Sequence, residues 1–138
     1  SKSFGLVVQH PSKGEVVANL VRRDQQVPID VSETFGTFEA GQASVNLRVM
    51  ENLSDEETVE LTSATEMGGT ELTFDGPMPA GSPIEVTFKL GPDGRLEVRG
   101  RDVTSGRTID AEFLTASIMT KEEEKEAMSR NLAMVVSS

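Results

Sequence analysis

IEVTFKLGPDGRLEV, residues 84–98, is the stretch on which the fold turns. Ile84, Val86, Phe88 and Leu90 fall two apart, with Glu85, Thr87 and Lys89 between them. Side chains alternate faces along a strand, so this pattern turns one apolar face to a core and one polar face to water. GPDG (91–94) then interrupts the run. Pro92 presets φ for a turn, Asp93 favours one, and Gly94 accepts positive φ. Leu96 and Val98 resume the apolar phase on the return strand. The unit is an antiparallel hairpin with one face to bury, and a second layer must cover that face.

The flanking sequence repeats the style. Downstream, Ser105-Gly106 marks a turn and RTIDAEFLT (107–115) a further strand. Upstream, strands are expected over 3–8, 16–23, 29–38 and 43–50, with HPSKGE, DQQVP and EAGQ as connections. ETVELTSA (57–64) and TELTF (70–74) flank Gly68-Gly69, and NLSDEE reads as an exposed polar loop. DGPMPAGSP (75–83), with three prolines and two glycines, is expected to lack regular structure. Gly91, Gly94, Gly100 and Gly106 read as turn and strand-edge residues. Within 34–49, Val45, Leu47 and Val49 share a face, whereas Phe35 and Phe38 would point to opposite faces of a regular strand.

The C-terminus changes character. Thr120-Lys121-Glu122-Glu123 fits a capping box, and Glu122, Glu123 and Glu124 suit the positive end of a helix dipole. Met128, Leu132 and Val135 follow as a narrow apolar stripe. The expected fold is therefore mainly β: an antiparallel β-sandwich over residues 1–117, followed by a C-terminal α-helix over 118–138.

Composition narrows the function. The 138 residues suit one domain, and the 36% that are apolar include six Phe but no Tyr or Trp. Thirteen basic against 23 acidic side chains leave a formal charge of −10, which repels nucleic acid and anionic membranes. No apolar run is long enough to span a membrane, and no signal peptide is visible. The absence of Cys removes disulfides and thiolate metal sites. His10, the single histidine, stands beside Pro11 in a turn with no acid or nucleophile placed near it. Asp55, Glu56 and Glu57 lack the spacing of a calcium loop, and no phosphate-cradling glycine motif occurs. The residues argue for no catalytic site and no metal.

The ordered segments KSFGLVV (2–8), NLVRRDQQVP (19–28), ETFGTFEAGQASVNLRV (33–49), ELTFDGPMPAG (71–81), PIEVTFKLGPDGRLEV (83–98) and RDVTSGR (101–107) resemble one known family. It is the β-sandwich substrate-binding domain of the DnaK-type, seventy-kilodalton heat-shock chaperones. The helix from Thr120 resembles the start of that family's helical lid. The resemblance implies a cytoplasmic stress-response chaperone that binds extended apolar segments of unfolded polypeptides in a channel at one end of the sandwich. Carried over, the channel positions are Leu6, Val8, Phe35, Gly36, Val45, Leu47 and Ile84. Phe38 falls at one side of an arch over the client, and Gln9 and His10 are the candidates for the other side. Two readings of Phe38 stand: it leans over a bound chain, or it packs under a neighbouring loop. For Val45 and Leu47 the alternative is ordinary sandwich core.

The family also implies interdomain coupling through Arg23, Pro28 and Asp93. It implies ATP and Mg in a nucleotide-binding domain outside these residues, with a J-domain co-chaperone and a nucleotide-exchange factor as partners. The 138 residues are accordingly expected to be an excised piece, with a divergent protein as the alternative. Three departures stand out. The segment 9–17 looks longer than the usual loop, 51–68 matches poorly, and PMPAGSP lacks the basic residue that helps latch a lid. The tail NLAMVVSS (131–138) itself resembles an apolar client, so self-association through it is one expectation and a frayed helix end the other. The rival from another class is an adhesion or carbohydrate-binding sandwich, which the lack of Trp and Tyr weakens.

Overall fold

The computed structural model describes residues 1–115. Nine strands follow one another: β1 (Ser3–His10), β2 (Gly14–Val21), β3 (Ile29–Gly36), β4 (Gln42–Asn52), β5 (Thr58–Glu60), β6 (Thr65–Met78), β7 (Pro83–Leu90), β8 (Arg95–Asp102) and β9 (Thr108–Leu114). A short 3₁₀ turn, Leu61–Ser63, separates β5 from β6. The strands form two antiparallel sheets, ordered β5-β2-β1-β4-β6 and β3-β7-β8-β9. The expected helix over 118–138, its capping box and the tail 131–138 lie outside the described residues.

The opening hairpin forms as its alternation requires. β7 and β8 pair from Ile84↔Asp102 to Leu90↔Leu96. Gly94 takes φ 76° in the turn. Ile84, Val86, Phe88, Leu96 and Val98 are buried in the space between the sheets, where Phe4, Leu6, Leu20, Leu47, Val49, Leu72 and Phe74 meet them from the other layer. Each fully buried aliphatic or aromatic side chain contributes roughly 1.5–3 kcal/mol, so this shared layer dominates stability. Val17, Met50 and Val59 form a smaller cluster with Val7, Leu61 and Ala64 packed against it.

Three expectations need correction. β6 continues through Asp75–Met78, where no regular structure was expected. It lies at the edge of its sheet, where a proline's missing N–H costs no ladder bond. The pairing with β4 jumps from Gln42↔Met78 to Ser44↔Thr73, so the Gly-Pro segment is absorbed as a bulge. Gly100 is not a strand-edge residue but lies in the interior of β8, opposite Val86. A Cβ there would meet Leu47 Cδ1 at 2.5 Å, so the facing sheet demands the glycine. Finally, the segment 9–17 is no long loop. β1 and β2 stay paired out to His10↔Gly14, and Gly14 at φ 74° helps close a turn of three residues, 11–13.

Candidate functional site

β1 sits between β2 and β4, but its two ladders differ in length. With β2 it pairs along its full course, from Phe4↔Val21 to His10↔Gly14. With β4 it pairs only from Ser3↔Asn52 to Leu6↔Val49. Beyond that point β4 runs on beside β6, through Leu47↔Thr70 and Val45↔Leu72. The sheet therefore forks. One prong is the β1–β2 hairpin and the other is the β4–β6 pair, and the strand edges that face each other across the gap are not paired to one another.

A cleft of about 470 Å³ lies at this fork. Leu6, Val7, Val8 and Gln9 line it from β1, Val45, Asn46, Leu47 and Arg48 from β4. β3 and the following turn bring Phe35, Gly36, Thr37 and Phe38, and β7 brings Ile84. All seven residues assigned to a channel from the resemblance, and the arch residue Phe38, thus border one cavity. They do so in different ways. Leu6, Leu47 and Ile84 are buried and form the floor, while Val8, Phe35 and Val45 are half-buried against the core as walls. Leu47 is 1% exposed, so the core reading holds for that side chain even though it borders the cleft. Phe38 is 63% exposed, which excludes packing under a neighbouring loop. The strand ends at Gly36, so the expectation of opposite faces does not apply to it.

Gly36 makes a close approach: a Cβ there would stand 3.1 Å from the Cα of Gly81, so the loop that carries Gly81 would have to give by a few tenths of an ångström. Of the two candidates opposite Phe38, Gln9 borders the cleft and His10 does not. The His10 Nδ1 instead accepts the Ser12 N–H at 3.2 Å. Arg48 bridges the fork on its outer side, with Nε 2.7 Å from Glu66 Oε1 on β6 and Nη1 3.6 Å from Glu15 Oε2 on β2. Sequence reasoning missed Thr37, Arg48 and Glu15. Arg48 and Glu15 are ordinary charges in sequence, and only the fork brings them together.

The coupling candidates lie elsewhere. Pro28 and Asp93 share a shallow hollow with Ile29, Lys89, Gly91 and Arg95. The β3–β7 register puts Ile29↔Leu90 at one end and Phe35↔Ile84 at the other, so this hollow is at the end opposite the cleft. Arg23 does not border it. Its Nη1 donates to the Leu53 carbonyl at 2.6 Å and its backbone N–H to the Ser3 hydroxyl. Beside it, a hydrogen bond from the Ser1 hydroxyl, with the Arg23 charge helping, holds the Asp24 carboxyl below its usual range. A broader trough of about 650 Å³ lies over β7, β8 and β9, lined by charged pairs such as Arg99–Asp110 at 2.7 Å and Arg101–Glu85 at 3.4 Å. Its chemistry suits water rather than an apolar side chain.

The end of this β-sandwich opens between the β1–β2 hairpin and the β4–β6 pair onto an apolar floor. The family model described as "Hsp70 protein" matches residues 4–136. Relatives called "Chaperone protein DnaK" in two strains of Halobacterium salinarum are each 35% identical over 105 residues, 75% of this chain. The chain belongs to the Hsp70 family. It spans about 15% of the length of those relatives.

Proposed function

We propose that this domain is the substrate-binding part of a DnaK-type chaperone and holds short, extended, apolar segments of unfolded polypeptide in the fork cleft. The observation that carries the reading is the early end of the β1–β4 ladder at Leu6↔Val49, beside an apolar floor. A fork of this kind offers two things together. Its floor takes an apolar side chain, worth roughly 1.5–3 kcal/mol for one of leucine size. Its free strand edges offer main-chain hydrogen bonds, about 0.5–1.5 kcal/mol each. Backbone is common to all sequences, so such bonds permit broad client choice while the pocket selects an apolar anchor. Ordering a flexible client opposes both terms, which brings affinity to about micromolar. The charge of −10 favours clients with basic flanks.

In this reading Phe38 and Gln9 form the two sides of an arch over the client, and the domain performs no catalysis. Among the described residues no group of three or more His, Asp, Glu or Cys could hold a metal ion. The ATP and Mg that the family resemblance implies would be held by a nucleotide-binding domain outside these residues. Nucleotide, a J-domain co-chaperone and an exchange factor would act there, with Arg23, Pro28 and Asp93 as the coupling surface at the far end. Cytoplasmic residence belongs to the same reading. Family membership supports a chaperone role, and the adhesion or carbohydrate alternative is not favoured.

The test is titration of a labelled short peptide with a central leucine into the 138-residue chain, read by fluorescence anisotropy. Saturable binding near micromolar, weakened when the leucine is replaced by aspartate, is the expected result. No binding up to about 100 µM would overturn the proposal.

A further inference from the structure

Phe38 stands at the rim of the cleft, 63% exposed, so side-chain packing does little to fix its place. Its backbone is fixed through its neighbour. Thr37 is 6% exposed, as is Ser82 on the loop between β6 and β7. Five hydrogen bonds join the two loops around them. The Thr37 N–H donates to the Ser82 carbonyl at 3.0 Å, and the Gly81 N–H donates to the Thr37 carbonyl at 2.8 Å. The Thr37 hydroxyl donates to the Pro79 carbonyl at 3.0 Å and accepts the Ser82 N–H at 3.0 Å. Past Phe38, the Gly41 N–H donates to the Met78 carbonyl at 2.8 Å. Within the second loop, the Ser82 hydroxyl donates to the same Pro79 carbonyl at 2.6 Å. One carbonyl therefore receives both buried hydroxyls, one of them on the residue that precedes Phe38.

We propose that Thr37 and Ser82 are positioning residues that set how fast Phe38 swings away from the cleft, and so set the rate of peptide exchange. The inference rests on the peptide-binding reading. The backbone that carries the rim residue, held by buried, mutually satisfied hydrogen bonds on its neighbour, shifts only when the two loops part. Loosening them opens the way in and the way out alike. Removing the Thr37 hydroxyl forfeits one donor and one acceptor in a buried setting, where unsatisfied partners are most costly.

The experiment measures association and dissociation rates of the labelled leucine peptide by stopped flow, alongside thermal melts. In Thr37→Val, dissociation is expected to accelerate about tenfold, with association faster too, so that Kd moves less than either rate. Thr37→Ser keeps the hydroxyl and should restore wild-type rates. Ser82→Ala, which removes one hydroxyl donor, should show a smaller change of the same sign. Adding Thr37→Val to Phe38→Ala should give no further acceleration, because the first acts through the second. Wild-type rates in Thr37→Val would overturn the proposal, as would additive effects in the double variant, or a weaker Kd with association unchanged. Should Thr37→Val fail to fold, Ser82→Ala decides: unchanged rates there count against the clamp. A wild-type chain that binds no peptide sinks the parent reading, whereas normal binding with insensitive rates sinks only the clamp.

Discussion

Leu6 and Val49 are the last residues to face one another between β1 and β4. Both are buried, and both belong to the core shared by the two sheets. On one side of that pair the sheet is continuous. On the other it divides into the β1–β2 hairpin, closed by its own turn, and the β4–β6 pair. The pair thus marks the boundary between scaffold and site. Past it the edges of β1 and β4 that face the gap are not paired to one another, although Leu47 still belongs to the core.

Val45 lies past that boundary, half-buried in the cleft wall. Val45→Phe should fill the cavity while leaving the fold in place, because the added ring extends into open space. Peptide affinity is expected to fall at least tenfold, about 1.4 kcal/mol, with a melting temperature within a few degrees of wild type. Anisotropy titration and a thermal melt check both halves. Unchanged affinity in a well-folded variant would remove Val45 from the site.

Gly100→Ala should be destabilising without touching the cleft directly. The new methyl would meet Leu47 Cδ1 at 2.5 Å. Overpacking of this kind costs about 1–3 kcal/mol, and Leu47, itself part of the cleft floor, would be displaced. A lowered urea midpoint is expected, together with weaker peptide binding. The double variant Gly100→Ala, Leu47→Val should recover part of the stability, because the shorter side chain yields the space.

Asn19 and Asn52 form a reciprocal amide pair, with Nδ2–Oδ1 distances of 3.3 and 2.9 Å, both side chains buried. The pair ties β2 to β4 at the end of β1 away from the fork. Asn52→Ala should cost about 1–3 kcal/mol in chemical denaturation, since it leaves the buried Asn19 Oδ1 without its donor and the Ser54 N–H without its acceptor, while Asn19 Nδ2 keeps the Glu56 carbonyl. Peptide affinity of the folded variant should stay near wild type. A large loss of affinity would show that the two ends of the sheet are coupled.

Glu15→Gln tests the ionic bridge across the fork. Arg48 stays anchored on Glu66 at 2.7 Å, so only the 3.6 Å contact to Glu15 is lost. Both partners are part-exposed, and such pairs contribute about 0–1 kcal/mol. Peptide affinity should therefore change by at most about fivefold, and the difference from wild type should shrink in high salt. A larger, salt-insensitive effect would give Glu15 a direct role in holding the client.

Much of the β7–β8 unit is legible before any coordinates. Its strands run Pro83–Leu90 and Arg95–Asp102, close to the apolar alternation and its turn. β6 is less so, because Pro77 reads as a breaker until the strand's place at a sheet edge is known. Gly100 is misread for a related reason: a glycine that makes room for Leu47 looks in sequence like one that makes a turn. Phe38 and Val45 are singled out by resemblance, whereas Thr37 and Ser82 escape notice. Small hydroxyl residues in loops carry no sequence signal of what they reach.

The sequence alone determined the local terms: which runs alternate, where glycines turn the chain, how much charge the surface carries, and that an apolar face needs a second layer. These are set by residues within a few positions of each other. The tertiary structure alone decided where β1 parts from β4, what sits opposite Gly100, and which carbonyl receives the Thr37 hydroxyl. Each joins segments that are distant in sequence, so it depends on the shape of both layers at once. The cleft exists because of those non-local choices.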